Sequence, residues 1–152
     1  MIIEFYLKTN QKLSPADISD FETQIGKVLP DDYKQHMLNW NGGGVHQYNL
    51  EHVNFPEHSD YGLLGLAPIS HSKSTILNKM NALSSALPSN YIPIGRTRGG
   101  GTILMSLENN ETYGNIEVMF SEGDIINMSP SFSQFLEDMV EEEDIFGDKD
   151  DE

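Results

Sequence analysis

The sequence predicts an α+β architecture, helices packed on a mainly antiparallel sheet, and three observations carry that reading. Apolar residues recur at helical spacing in four segments, three of them before residue 84 and one near the C-terminal end. After Asn90 the period shortens to strands with turns spaced by about 8–12 residues, the pattern of an antiparallel meander. Each helix carries a single apolar face, which needs another surface to bury against.

Taken in order, Ile2 to Leu7 is β-rich and reads as a first strand or strand-like arm, followed by a polar connection over Asn10 to Leu13. Ser14-Pro15-Ala16-Asp17 opens the first helix, with Ser14 as N-cap, Pro15 at the first helical position and Asp17 where a capping box needs an acceptor. Ile18, Phe21 and Ile25 supply its buried face and Gly26 closes it. The run Val28 to Gly44 holds the second helix. Pro30 suits its first turn, and Asp31 and Asp32 set negative charge at the positive end of the helix dipole. Tyr33, Met37 and Trp40 fall at i, i+4 and i+7 on one face, and Asn41-Gly42-Gly43 stops the helix and redirects the chain. A strand is expected over Val45 to Val53 and an exposed loop over Asn54 to Gly62, with apolar character returning at Leu63-Leu64-Gly65-Leu66. Ser70 to Leu83 reads as the third helix, with Ile76, Met80 and Leu83 on one side.

The meander begins with Tyr91 to Gly95, where Pro93 argues for an edge or strand-end position because it cannot donate to a ladder. Arg96 to Gly101 connects it to Thr102 to Leu107. A third strand lies within Thr112 to Phe120, where Ile116, Val118 and Phe120 alternate with Glu117 and Met119, and a fourth runs over Ile125 to Met128. Ser131 then opens the last helix, with Phe132, Phe135, Leu136, Met139 and Val140 as its apolar stripe. The pattern predicts one domain over residues 1–143 and an acidic, mobile tail over 144–152.

Composition narrows the function classes. The 152 residues carry a net charge of −15 and no cysteine, which excludes disulfides and thiolate sites and suits a reducing cytoplasm. No apolar run approaches the roughly 18 residues of a membrane span, and the first residues do not match a signal peptide, so a cytoplasmic location is expected. From Glu137 to Glu152 there are ten acidic residues and one lysine. That balance repels a phosphate backbone, which argues against nucleic acid as a partner, and it steers basic proteins towards the chain. The clustered acids Asp31, Asp32, Glu141, Glu142, Glu143 and Asp144 are the candidate partner-binding residues.

Catalytic chemistry finds little support. Carboxylate pairs are abundant, and Asp31 with Asp32 already has a helix-start role. His36, His46, His52, His58 and His71 show no i, i+4 pair and no zinc spacing, and His46, His52 and His58, six residues apart in a loop-rich segment, read best as exposed loop residues. Arg96-Thr97-Arg98-Gly99-Gly100-Gly101 lacks the Lys-Ser/Thr and the following helix of a phosphate loop, so a hairpin is the better reading. No serine sits in a nucleophile elbow. No catalytic residue, cofactor or metal is expected.

The motifs together resemble a known family. Leu29-Pro30-x-Asp32-Tyr33-Lys34 leading through Met37-Leu38 to Asn41-Gly42-Gly43 is similar to the signature of the SMI1/KNR4 (SUKH) superfamily, as are Pro93-Ile94-Gly95, Ile103 to Ser106, Tyr113-Gly114 and Ser131-Phe132-x-x-Phe135-Leu136. The resemblance implies a strongly bent, mainly antiparallel sheet with about four helices packed against it. It implies no shared catalytic residue, and a function in protein binding. Bacterial members look like immunity proteins that neutralise polymorphic toxins, often nucleases, and fungal members are regulatory scaffolds. The expectation is an immunity protein for a cognate toxin with a basic surface, and the alternative is a non-catalytic cytoplasmic adaptor. Leu29, Pro30, Tyr33, Trp40, Asn41, Gly42, Gly43, Gly95, Phe132 and Phe135 are the residues expected to hold the scaffold. The third glycine, Gly44, departs from the family pattern.

Overall fold

Helix and strand propensities resolve into one large sheet with helices on it in the computed structural model, which describes residues 6–45, 50–53, 62–72 and 75–141. Strand β1 (Tyr6–Asn10) leads to helices α1 (Pro15–Ile25) and α2 (Asp31–Asn39), then strands β2 (Asn41–Val45), β3 (Leu50–His52) and β4 (Leu63–Leu66). Helix α3 (Ile76–Leu83) precedes the meander β5 (Tyr91–Thr97), β6 (Thr102–Ser106), β7 (Ile116–Met119) and β8 (Ile125–Ser129), and the described chain ends with α4 (Phe132–Asp138) and β9 (Met139–Glu141). Seven strands pair in the order β1-β2-β4-β5-β6-β7-β8, every pair antiparallel, while β3 pairs with β9 in a separate ribbon. Four of the six pairings in the large sheet carry a register shift, the irregularity that lets a sheet curl around its core. The α+β class with four helices is the observed one.

Local chemistry fixes α1 as its sequence predicts. The Asp17 N–H donates to Ser14 Oγ at 3.2 Å and the Ser14 N–H donates to Asp17 Oδ2 at 2.8 Å, a complete capping box. Gly26 ends the helix in the left-handed conformation and its N–H donates to Glu22 O. Ile18 and Phe21 are buried.

Helix α2 departs in two places. Pro30 is the N-cap, with ψ at 145°, so the helix starts one residue later than expected. Trp40 is extended beyond the last turn (φ −138°, ψ 97°) and only half-buried. The chain is already entering β2 there, so the helical period no longer applies, and His36 fills the core face beside Tyr33 and Met37.

The glycine run does not merely stop α2. It forms strand β2, which displaces the strand expected over Val45 to Val53; β3 covers only Leu50–His52 of that span, and residues 46–49 lie outside the described part. Gly42 combines φ of 76° with a backbone approach so close that a Cβ would sit 2.7 Å from the Pro68 nitrogen. Gly95 answers a similar demand, since its Cβ would stand 2.5 Å from Gly65 O of the neighbouring strand.

Three other expectations are corrected. Helix α3 begins at Ile76 rather than Ser70, because Thr75 is its N-cap and accepts the Asn78 N–H at 3.2 Å. Pro93 lies in β5, a central strand, and not at an edge; β4 pairs only with Gly95 to Thr97, so no ladder bond from β4 is required of Pro93. The last helix ends at Asp138, and Met139 and Val140 continue as β9, paired with His52 and Glu51. Ser131 caps α4 by accepting the Gln134 N–H at 3.1 Å, while the Gln134 side chain reaches forward to Asp138 Oδ1 rather than back. The arm over residues 2–5, most of the loop over 54–62 and the tail over 144–152 lie outside the described residues.

The core is the layer between helices and sheet. Ile18, Phe21, Leu29, Tyr33, Met37, Phe132 and Phe135 meet Ile92, Ile94, Ile103, Met105, Ile116 and Val118. Along β7 the alternation is the one expected, with Ile116 and Val118 buried and Glu117 and Met119 half-exposed.

Candidate interaction surface

Four of the scaffold residues, Tyr33, Trp40, Phe132 and Phe135, meet in one aromatic cluster with His36. Phe132 stands 4.9 Å from Tyr33 edge-on and 5.0 Å from His36, and Phe135 lies 6.2 Å further on. Trp40 covers His36 at 5.2 Å. Asp32 ties the cluster together from outside: its Oδ1 accepts the Tyr33 N–H at 2.8 Å and its Oδ2 accepts both N–H and Oγ–H of Ser133 at 2.9 Å. That carboxylate therefore sits at the first turn of both α2 and α4.

His36, which the sequence places within the second helix, is 6% exposed, and burial pushes its pKa from the model-peptide 6.5 down to about 4. The folded state thus holds a neutral imidazole that the unfolded chain protonates more readily. Its contribution is fully present above about pH 6.5 and is lost as pH falls towards 4, a loss of about 3 kcal/mol. We expect His36→Leu to flatten the acid limb of a plot of melting temperature against pH. An unchanged acid limb would assign that sensitivity to other groups.

His52, expected as an exposed loop residue, is instead buried in β3, where it meets Ser129 and Asp138. Its Nε2 lies 3.0 Å from Ser129 Oγ, Ser129 Oγ–H donates to Asp138 Oδ2 at 2.7 Å, and His52 Nε2 is 3.5 Å from that same oxygen. Burial pushes the His52 pKa down, while the Asp138 carboxylate and the Met128 backbone pull it up. These are the residue types of an acyl-transfer triad in the wrong order. The serine stands between imidazole and carboxylate with its proton committed to the acid, so its oxygen accepts from the imidazole N–H and the ring acts there as a donor rather than as a base. All three are buried. The network joins the β3–β9 ribbon to β8 and α4. Sequence spacing gave no sign of it, because Ser129 is 77 residues from His52.

The accessible chemistry lies on the other side of α2. The α1–α2 turn and the loop between β6 and β7 frame an open groove of about 830 Å³ lined by Glu22, Lys27, Val28, Leu107, Asn110 and Tyr113, among others. Tyr113 OH donates to Val28 O at 2.5 Å, which locks the ring against the turn. Val28 remains 64% exposed and Tyr113 40%. Glu22 Oε2 accepts the Leu29 N–H at 2.8 Å and stands 3.6 Å from Lys34 Nζ, which also reaches Asp31 at 3.7 Å. Burial, then Glu22, Asp31 and Asp32, push the Tyr113 pKa up, so the phenol faces a negative field.

The acids picked out by charge therefore separate. Asp31, with a side chain 96% exposed, projects beside the groove. Asp32 is engaged within the fold, Glu141 belongs to β9, and Glu142, Glu143 and Asp144 lie outside the described residues. Charge clustering could not find Val28 and Tyr113, which are neutral. Among the scaffold residues, Asn41 proves the most connected: its Nδ2 donates to Gln11 O at 2.9 Å and to Ser70 O at 2.8 Å, and its Oδ1 accepts the Ile69 N–H at 2.9 Å. The Arg96 to Gly101 segment is the hairpin between β5 and β6, closed by Thr97 N–H to Gly101 O at 2.9 Å. Among the described residues no group of three or more His, Asp or Glu could hold a metal ion, and no helix is long and apolar enough to cross a membrane.

Comparison with known proteins places this architecture. The chain is 24% identical over 162 aligned positions to the SPbeta prophage-derived uncharacterized protein YokK of Bacillus subtilis (strain 168), an alignment that covers 96% of this chain and 81% of the relative. Residues 12–138 match the SMI1 / KNR4 family (SUKH-1), a span that runs from just before the α1 cap to the end of α4, and the chain belongs to that family.

Proposed function

We propose that this protein is an immunity protein that neutralises a cognate bacterial toxin by direct binding in the cytoplasm, acting through contact rather than catalysis. The observation that carries the reading is membership of the SMI1/KNR4 family in a chain of net charge −15. A toxin that cleaves nucleic acid needs a basic groove for its substrate, and an acidic protein is the natural occupant of such a groove. The binding unit in this reading is residues 1–143, with the acidic segment 144–152 adding to long-range attraction. The internal order of Ser129, His52 and Asp138 supports binding over hydrolysis.

The test is co-expression with candidate toxins from neighbouring genes. Rescue of growth together with co-purification is expected, and the association rate should fall steeply with added salt, because attraction between exposed charges is screened over about 8 Å at physiological ionic strength. Failure of the protein to bind or rescue would overturn the proposal. Stable binding without rescue would favour an adaptor instead.

A further inference from the structure

From the geometry at the α1–α2 turn we infer that the groove formed by Val28, Tyr113 and the β6–β7 loop is the surface that receives the toxin, and that its centre takes a basic side chain of that partner laid over the Tyr113 ring. The inference rests on the immunity reading and specifies where the contact is made.

Two features of the groove set it apart. Val28 and Tyr113, two exposed large apolar side chains, are joined by the hydrogen bond from the phenol to the Val28 carbonyl into one patch. An aromatic ring held rigid before binding loses little conformational freedom on contact, which is why tyrosine is enriched among residues that dominate interfaces. The turn that carries Val28 is itself fixed, since Glu22 accepts the Leu29 N–H and Pro30 packs under Gly114 of the same loop, within 3.7 Å of where a Cβ there would stand. The surface is therefore preformed.

Charge selects the occupant. Glu22, Asp31 and Asp32 are close enough to raise the pKa of the phenol, and a cation brought over the ring feels the same field together with the negative face of the aromatic system. Lys34 is drawn between Glu22 and Asp31, which leaves Asp31 largely solvated and able to take a second cation. Lys27 also lines the groove, on the turn beside Val28, so that the three acids face two lysines there and the local balance stays negative. Asn109 and Asn110 also line the groove; the Asn110 Oδ1 already accepts from the Thr112 N–H and hydroxyl, which leaves its Nδ2 and the Asn109 amide to face the partner backbone.

The experiment uses the full chain and the toxin found in the co-expression test, with dissociation constant and growth rescue as readouts. Val28→Arg places a like charge where the partner's cation must arrive. It should weaken binding by ~30-fold or more, the scale of an interface hot spot, and abolish rescue while the melting temperature stays within about 1 °C of the wild type. Tyr113→Ala should weaken binding comparably. Ile125→Arg is the control: that side chain is 41% exposed on β8 and pairs with Met119, at the opposite end of β7 from the Tyr113 loop, so binding should be unchanged. If the wild type binds and rescues, and Val28→Arg and Tyr113→Ala both do so equally well, the groove is not the contact surface. If the wild type itself neither binds nor rescues, the immunity reading fails first, which separates the two outcomes.

Discussion

Asn41→Asp is expected to destabilise the protein by about 4 kcal/mol at neutral pH and to lower its melting temperature by about 12 °C. The substitution preserves shape and removes two donors. Gln11 O and Ser70 O, now satisfied by the Asn41 Nδ2 at 2.9 and 2.8 Å, would face a carboxylate oxygen at a position with no solvent exposure. A buried acceptor left without its donor costs about 1–3 kcal/mol, and repulsion between aligned oxygens adds to that. The introduced acid would have its pKa raised by burial and by the two carbonyls. Its penalty relative to the wild type is therefore smallest below about pH 4, where both folded and unfolded states hold the proton, and grows as pH rises. Melting curves of both proteins across that range check the sign. Equal stability at pH 7 would show that the Asn41 amide is not the joint between the β1–α1 connection, β2 and the loop before α3.

Phe132→Ala carries a comparable effect by a different route. The ring is 1% exposed and touches Tyr33, His36 and Phe135, so its removal leaves a hole walled by α2 and α4. Truncation of a buried phenylalanine costs about 3–5 kcal/mol, and the edge-on contact with Tyr33 puts this site towards the upper half. Phe132 is the first residue of α4, next to the Ser133 that Asp32 holds, so the backbone there cannot collapse inward to fill the space. Chemical denaturation should give a lower midpoint with an unchanged slope. Phe132→Leu, which retains most of the volume, should recover a large part of the loss. A loss below about 1 kcal/mol for the alanine variant would mean that the cluster is not tightly packed.

The difference between what the sequence reveals and what it hides follows the range of the interaction. Ser14, Asp17 and Gly26 delimit α1 through bonds three or four residues long, and the pattern is readable because the chemistry is equally local. The alternation of Ile116 and Val118 is readable for the same reason. Trp40 misleads because helical periodicity continues in the letters after the backbone has turned into β2. Met139 and Val140 extend the apolar stripe of α4, yet their pairing with a strand at residues 50–52 makes them β9, and no window of neighbouring residues contains that information. Pro93 reads as an edge residue only until the short reach of β4 is known. The candidate surface divides along the same line. Asp31 is visible as charge, whereas Val28 and Tyr113 become one patch through a contact between residues 85 positions apart.

The β3–β9 ribbon has a consequence for how the chain reaches this state. Its two strands come from positions about ninety residues apart, and a free chain meets the entropic cost of closing that loop before the few contacts of a three-residue pairing can offset it. The seven-stranded sheet and α4 shorten that effective loop only after they have formed. The ribbon, with His52 docking on Ser129 and Asp138, is thus expected to close after the sequence-adjacent hairpins of the β5–β8 meander, so that substitutions in it speed unfolding more than they slow folding, which stopped-flow kinetics would check.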